Sequence, residues 1–321
     1  MSREQRKEAI QGPLGRTPIA DSLVQRMLND AGDEPDQLPI LQHALMRTWS
    51  HWRMRDPERS GRIELQDYEA AGGFENALDW HGDELLKAVP RDIAAVIFKR
   101  LTARGRSSRE SRDPATLAEL WAVCGAETPE QQARVTAVID HFRTGEATFL
   151  TPRMEQVPDL DPHTYIDITH ESLIRQWKKL RDEWLPEETK FANTFLYLVK
   201  RAGWETLSGL GLTEAVEWNQ RRNQTKAWAR HYADEAALQT VLAFIAASQA
   251  EERGRLRAKR NQWIAVGLAL LFAVLGSASW YQRKQAELQR MTSDRLRLDA
   301  QRESRRAQDE AALALQAVKR G

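Results

Sequence analysis

The chain has 321 residues, with 47 Lys and Arg against 46 Asp and Glu, a formal net charge of +1, 29% charged residues and 41% hydrophobic ones. That balance is too apolar for a disordered chain and too polar for a multi-span transporter. It also counts against a protein built chiefly to coat nucleic acid, whose domains are strongly basic. The length allows two or three small domains, each able to bury a core. The one cysteine, Cys124, argues against an internal disulfide framework and a Cys-rich zinc site. It follows Leu120-Trp121-Ala122-Val123 and reads as a core residue in a reducing compartment. The eleven tryptophans fall mostly in segments of helical periodicity. They read as packing between many small helices.

The first twelve residues, MSREQRKEAIQG, contain no apolar run, so a secretory signal peptide is not expected there. From Leu38 onward, Leu41, Ala44, Leu45, Thr48, Trp49 and Trp52 recur at helical spacing. A further helix is predicted near Pro90, with Ile93, Val96, Ile97, Phe98 and Leu101 as its apolar stripe. Residues 1–110 therefore read as a helical domain interrupted by a Gly72-Gly73 turn.

Residues 111–186 change character. Asp113-Pro114 predicts an N-cap with proline at the first helical position, and Gly125 closes that helix. Thr128 and Gln131 form a capping box before a second helix, whose buried face is Val135, Val138, Ile139 and Phe142. A strand over 147–151, a Pro- and Asp-rich excursion and a return strand over 164–169 follow. One last helix carries Leu173, Ile174, Trp177, Leu180 and Trp184. Helix, helix, strand, wing, strand is the order of a winged-helix domain. Residues 187–250 return to helix, with stripes at Phe195, Leu198, Val199 and Ala202 and at Leu238, Val241, Leu242 and Ile245.

Residues 251–262 form a basic juxtamembrane segment, with Arg253, Arg255, Arg257, Lys259 and Arg260 close together. Residues 263–281, from Trp263 to Tyr281, hold no charge. At about 1.5 Å per residue they span roughly 28 Å, close to a bilayer core of about 30 Å. A single transmembrane helix is predicted there, with the N-terminal part in the cytoplasm because the cations before the span are denser. Ala265, Ala269, Ala273 and Ser277 place small side chains along one face, which suits helix–helix approach. Residues 282–321 read as a helical stalk, with a heptad hint at Leu288, Met291 and Leu298. The fold class expected is mainly α.

Catalytic motifs are absent. The sequence holds no G-x-x-x-x-G-K-[ST], no G-x-G-x-x-G after a strand, no H-E-x-x-H and no G-x-S-x-G. Gly12-Pro13-Leu14-Gly15-Arg16-Thr17 has neither the loop length nor the lysine of a P-loop. The seven histidines are scattered, and His43 and His51 lie too far apart for an adjacent-turn metal pair. Neither a catalytic residue nor a metal site is predicted. In the 128–144 helix, Arg134 and Arg143 meet Glu130 and Asp140; in the wing, Arg153 meets Glu155, Asp159 and Asp161. That surface is neutral to acidic, so DNA is not the expected partner. The alternative class is a membrane-tethered winged-helix transcription regulator.

Several strings resemble bacterial novel STAND NTPases. Leu38-Pro39-Ile40-Leu41-Gln42-His43-Ala44-Leu45 is similar to that family's L-P-L-L-Q-H-A-L signature, and His170-Glu171-Ser172-Leu173-Ile174-Arg175-Gln176-Trp177 to its H-E-x-L-[IL]-R-x-W motif. Ala9-Ile10-Gln11-Gly12-Pro13 resembles A-I-x-G-P at the end of the ATPase core, and residues 242–248 resemble F-L-x-A-S before the membrane helix. The resemblance implies a signal-transducing relative of P-loop ATPases, using ATP or ADP with Mg²⁺, whose core would precede Met1 and whose WD-type repeats would follow Gly321. It implies a nucleotide-state switch and scaffold without its own ATPase site, in the inner (cytoplasmic) membrane. The partners implied are the lipid bilayer and either other proteins or further copies of the chain. It also implies that Pro39 lies near the adenine and that His170 touches the β-phosphate. A capping or core histidine at a helix start is the competing reading of His170.

Overall fold

The computed structural model describes residues 2–32, 37–104, 110–145, 148–221 and 224–318. It divides into two compact units, Met1–Ser248 and Gln249–Gly321. Helix dominates both, as expected.

Five helices open the first unit: α1 (Arg3–Gln11), α2 (Asp21–Asp30), α3 (Leu38–Arg55), α4 (Leu65–Ala70) and α5 (Gly73–Leu86). They share a core that includes Ile10, Leu23, Met27, Leu41, Trp52 and Tyr68. The α3 stripe read from the sequence is the buried face: Leu41, Ala44, Leu45, Thr48 and Trp52 are inside and Trp49 packs at the edge. The Thr48 hydroxyl stays dry there because it donates to the Ala44 carbonyl at 2.6 Å. Between α4 and α5 the backbone is left-handed at Gly72 (φ 94°) and Gly73 (φ 61°), a conformation that side chains with a Cβ resist.

The next segment is α6 (Arg91–Arg100), β1 (Thr102–Arg104), β2 (Glu110–Arg112), β3 (Ala115–Thr116), α7 (Leu117–Val123), α8 (Pro129–Arg143), β4 (Leu150–Thr151), β5 (Tyr165–Ile168) and α9 (Glu171–Gln176). β1 and β2 form an antiparallel pair, and a separate antiparallel sheet has the order β3-β5-β4. The helix, helix, strand, excursion, strand order is present, but β1, β2 and β3 were not expected, and β1 ends the purely helical run inside residues 1–110. Ala147, expected in the β4 strand, lies outside the described residues, as do Met1 and the last three residues of the expected stalk.

Two local expectations are corrected. The first concerns the helix cap. Asp113 does not cap α7; its carboxylate accepts from Arg100 Nη1 at 2.9 Å, while Ala115–Thr116 pair with β5. Thr116 caps instead, through a complete capping box with Glu119, which satisfies two end donors at once. The capping box at Thr128 and Gln131 is present as expected. The second concerns the helix after β5. It does not run unbroken to Trp184: α9 stops at Gln176, Trp177 turns to ψ 101°, and a π turn over Lys179–Trp184 leads into α10 (Leu185–Arg201). The break has a cause, since the Lys178 N–H donates to the Asp79 carboxylate at 2.8 Å and is lost to any helical carbonyl.

Trp177 fills the middle core. It is fully buried against Phe98, edge to face at 5.0 Å, and donates from Nε1 to Asp83 on α5 at 3.0 Å. A Cβ at Gly82 would lie 2.7 Å from its ring, so glycine is what lets α5 approach. The α6 residues Ala94, Ile97, Phe98 and Leu101 belong to this same core.

Arg143 anchors the excursion between β4 and β5 from inside. Arg143 at the end of α8 is fully buried. It donates to the Asp140 carboxylate at 2.6 Å and to the carbonyls of Pro152 (3.2 Å), Val157 (2.6 Å) and Pro158 (3.0 Å). A guanidinium fits this task because its donors lie in a fixed planar fork.

α10, α11 (Gly209–Arg221), α12 (Lys226–Tyr232) and the start of α13 (Glu235–Val318) close the first unit around Phe195, Trp218, Trp228, Leu238 and Val241. Buried Ser248 ends this part, accepting from the Leu207 N–H at 3.1 Å and donating to the Phe244 carbonyl at 2.8 Å. In the second unit α13 continues without a break. Its apolar stretch has mean hydropathy 1.9 and none of it is buried, so among the described residues one helix is long and apolar enough to cross a membrane. Leu288, Met291 and Leu298 are exposed along the stalk.

Candidate functional site

The two residues singled out in the sequence meet at one place. Pro39 sits in the first turn of α3, where a missing N–H leaves no helical bond unmade. His170 is the residue just before α9, in extended backbone, delivered there by β5. Both line a cleft of about 290 Å³ and a neighbouring one of about 240 Å³. The larger is walled by Gln42, His43 and Met46 of α3 and by Phe149; the smaller is rimmed by Arg112 and Arg175.

His170 is exposed and its side chain makes no capping hydrogen bond. The residue occupies the N-cap position of α9 through its backbone, while its imidazole lies outside the core. Its pKa is lowered from the ordinary histidine value, first by partial desolvation and then by the Arg112 and Arg153 guanidinium groups. The ring is therefore neutral at pH 7, with one nitrogen able to donate. An anion entering between these cations would reverse the charge effect and favour the imidazolium. Arg112 is held in place by Asp167 Oδ2 at 2.7 Å and the Ile168 carbonyl at 3.2 Å. Thr169 lines both clefts, and its buried hydroxyl has no hydrogen-bond partner. Neutral imidazole, hydroxyl and guanidinium form a donor set that suits a phosphate or carboxylate oxygen.

Behind the rim lies a histidine pair the sequence did not reveal. His43 Nε2 and His81 Nδ1 are 3.2 Å apart, though the residues are 38 positions apart in the chain. Phe149 packs on both rings, at 5.6 and 5.3 Å. Burial first, and then the nearby Arg47 guanidinium, bring His43 down to about 4 and His81 to about 2. Both rings are neutral, so one nitrogen of the close pair donates and the other accepts. His141 Nε2 reaches the Leu85 carbonyl at 3.0 Å, which fixes its proton on that nitrogen. Among the described residues no group of three or more His, Cys, Asp or Glu is placed to hold a metal ion. Periodicity finds faces of single helices, and no spacing rule links α3 to α5 or Arg112 to His170.

Cys124 is partly buried, and burial pushes its thiol up to about 12, which makes it unreactive.

Residues 1–207 match the family described as Novel STAND NTPase 1. No curated protein and no solved structure matches the chain.

Proposed function

The chain belongs to the Novel STAND NTPase 1 family, and from that premise we propose that it is the regulatory, signal-transducing portion of a membrane-anchored STAND NTPase. In this reading residues 111–186 act as a winged-helix module that closes on a nucleotide together with the helical residues 1–110. The observation that carries it is the meeting of Pro39 and His170 in one cleft beside Arg112 and Arg153. His170, Thr169 and the two arginines would hold a diphosphate, and Pro39 with Met46 and Phe149 would flank a base. A bound ADP would set its phosphates against His170, Arg112 and Arg153 of residues 111–186 and its base against Pro39 and Met46 of residues 1–110, and so bridge the two segments. Mg²⁺ binding and hydrolysis fall to a P-loop core, because this sequence has no G-x-x-x-x-G-K-[ST]. The chain by itself then turns over no ATP.

The DNA-binding alternative loses ground at Arg143. Of the two arginines on α8, Arg143 is fully buried and occupied by the excursion, which leaves Arg134 as the exposed arginine of that helix. We place the anchor at residues 263–281 in the inner (cytoplasmic) membrane, with the N-terminal part in the cytoplasm. Trp263 at one end and Trp280 with Tyr281 at the other suit the interfacial belts.

The test joins this chain to a P-loop core of the same family and follows ADP release. A charge-assisted hydrogen bond to phosphate is worth about 1.5–3 kcal/mol, so His170→Ala should speed release roughly 10- to 100-fold. Release at the wild-type rate would remove His170 from the nucleotide site.

A further inference from the structure

Resting on the membrane reading above, we propose that residues 253–260 form a binding surface for anionic phospholipid headgroups. This segment contains Arg253, Arg255, Arg257, Lys259 and Arg260 and no acidic residue, and it ends just before the apolar stretch that opens at Trp263. It is helical and exposed throughout. Arg255 pairs with Glu251, and Arg253 Nε donates to the Gln249 carbonyl at 3.1 Å. Among the described residues, Arg257, Lys259 and Arg260 have neither an ion pair nor a hydrogen-bonded partner for their side chains. Like charges four apart on a helix repel, so this arrangement calls for counter-charge from outside the chain.

The distribution of the cations selects the partner. At 3.6 residues per turn, Arg253, Arg257 and Arg260 fall on one side of the helix and Arg255 and Lys259 on the other. A helix lying flat on a membrane would gather its cations on one face and set an apolar face opposite. A ring of cations suits a helix standing upright through the headgroup layer. Eight residues rise about 12 Å, comparable with the headgroup layer plus one Debye length of about 8 Å. The far end of the apolar stretch is different. Arg283 and Lys284 are followed by Glu287, and Lys284 Nζ lies 5.2 Å from the centre of the Trp280 ring. Anionic lipid is therefore drawn to the N-terminal side of the span.

The experiment uses the full chain. Flotation with vesicles of neutral phosphatidylcholine first tests insertion; a chain that stays in the dense fraction overturns the membrane reading and this proposal with it. Native mass spectrometry then compares adducts when phosphatidylglycerol and phosphatidylcholine are offered in equal amounts. Each cation near an anionic surface strengthens attraction roughly fivefold before screening, so phosphatidylglycerol adducts should exceed phosphatidylcholine adducts by about tenfold. Replacing all five cations by glutamine should abolish the excess, while flotation of that variant with neutral vesicles shows that it still inserts. R283Q/K284Q should keep the excess. Equal adducts on the wild type, or an undiminished excess on the five-fold variant, would overturn the proposal and leave the span untouched. Binding of a single-stranded oligonucleotide that depends on the five cations, without lipid preference, would assign the segment to nucleic acid and overturn it as well.

Discussion

Buried and rim-lining cations of the same chemical types behave differently in the first unit. Arg143 is fully buried, and its guanidinium is matched to a carboxylate and three carbonyls. Arg112 and Arg153, at the edge of the cleft, keep open positions that an incoming anion can use, and they depress the His170 pKa in its absence. The histidines divide in the same way. His43 and His81 are paired and kept neutral by burial, whereas His170 is exposed. Desolvation explains the contrast. A charge inside must be fully partnered because water cannot compensate it, whereas a charge at a rim can wait for a ligand.

Removing the buried cation should break this contrast most visibly. Arg143→Ala leaves the Asp140 carboxylate and the carbonyls of Pro152, Val157 and Pro158 without their donor. Loss of one partner from such a network costs about 3–5 kcal/mol. Urea unfolding followed by tryptophan fluorescence measures it, and a loss under about 1 kcal/mol would mean that the excursion holds itself.

Acidification should produce the next largest effect, through the inner histidines. Their folded pKa values lie below the ordinary 6.5, so the unfolded chain binds more protons over the window between. Stability contributed by their neutral state is fully present above pH 6.5 and declines as the pH falls towards about 4, where His43 titrates in the folded chain. The groups around the pair are Arg47, His141 and Glu84, the last bonded to Arg47. The His43 shift alone corresponds to a decline of about 3 kcal/mol across that window. The whole decline should shrink in His81→Phe, which removes one titrating ring and keeps a similar shape. A pH profile identical in that variant would assign the acid sensitivity elsewhere.

The smallest effect is expected at the rim. His170 is exposed and its side chain makes no capping hydrogen bond, so His170→Ala should change unfolding stability by no more than about 0.5 kcal/mol. A larger loss would return the residue to a structural role and detach it from the nucleotide reading.

Much of the helical framework was legible in the chain. The stripe on α3, the Thr128 capping box and the apolar run from Trp263 to Tyr281 depend on residues within a few turns of one another, and local periodicity records them directly. His170 stood out because it joins a strand to a helix within a recognisable string. The cap of α7 was misplaced because Asp113 was drawn off by Arg100, a partner its own segment does not contain. The break after Gln176 was invisible for a similar reason, since Asp79 takes the Lys178 N–H from another helix.

The sequence by itself determined the stripes of α3, α6 and α8, where the cations cluster beside the apolar stretch, and which strings tie the chain to its family. Those properties follow from side-chain spacing and from each residue's own backbone preferences. Only the tertiary structure decided that Pro39 and His170 share a cleft, that His43 meets His81 behind it, and that Arg143 is unavailable to an outside partner. Each of these depends on residues from separate elements converging in space. Packing across elements sets such convergence, and no local pattern records it.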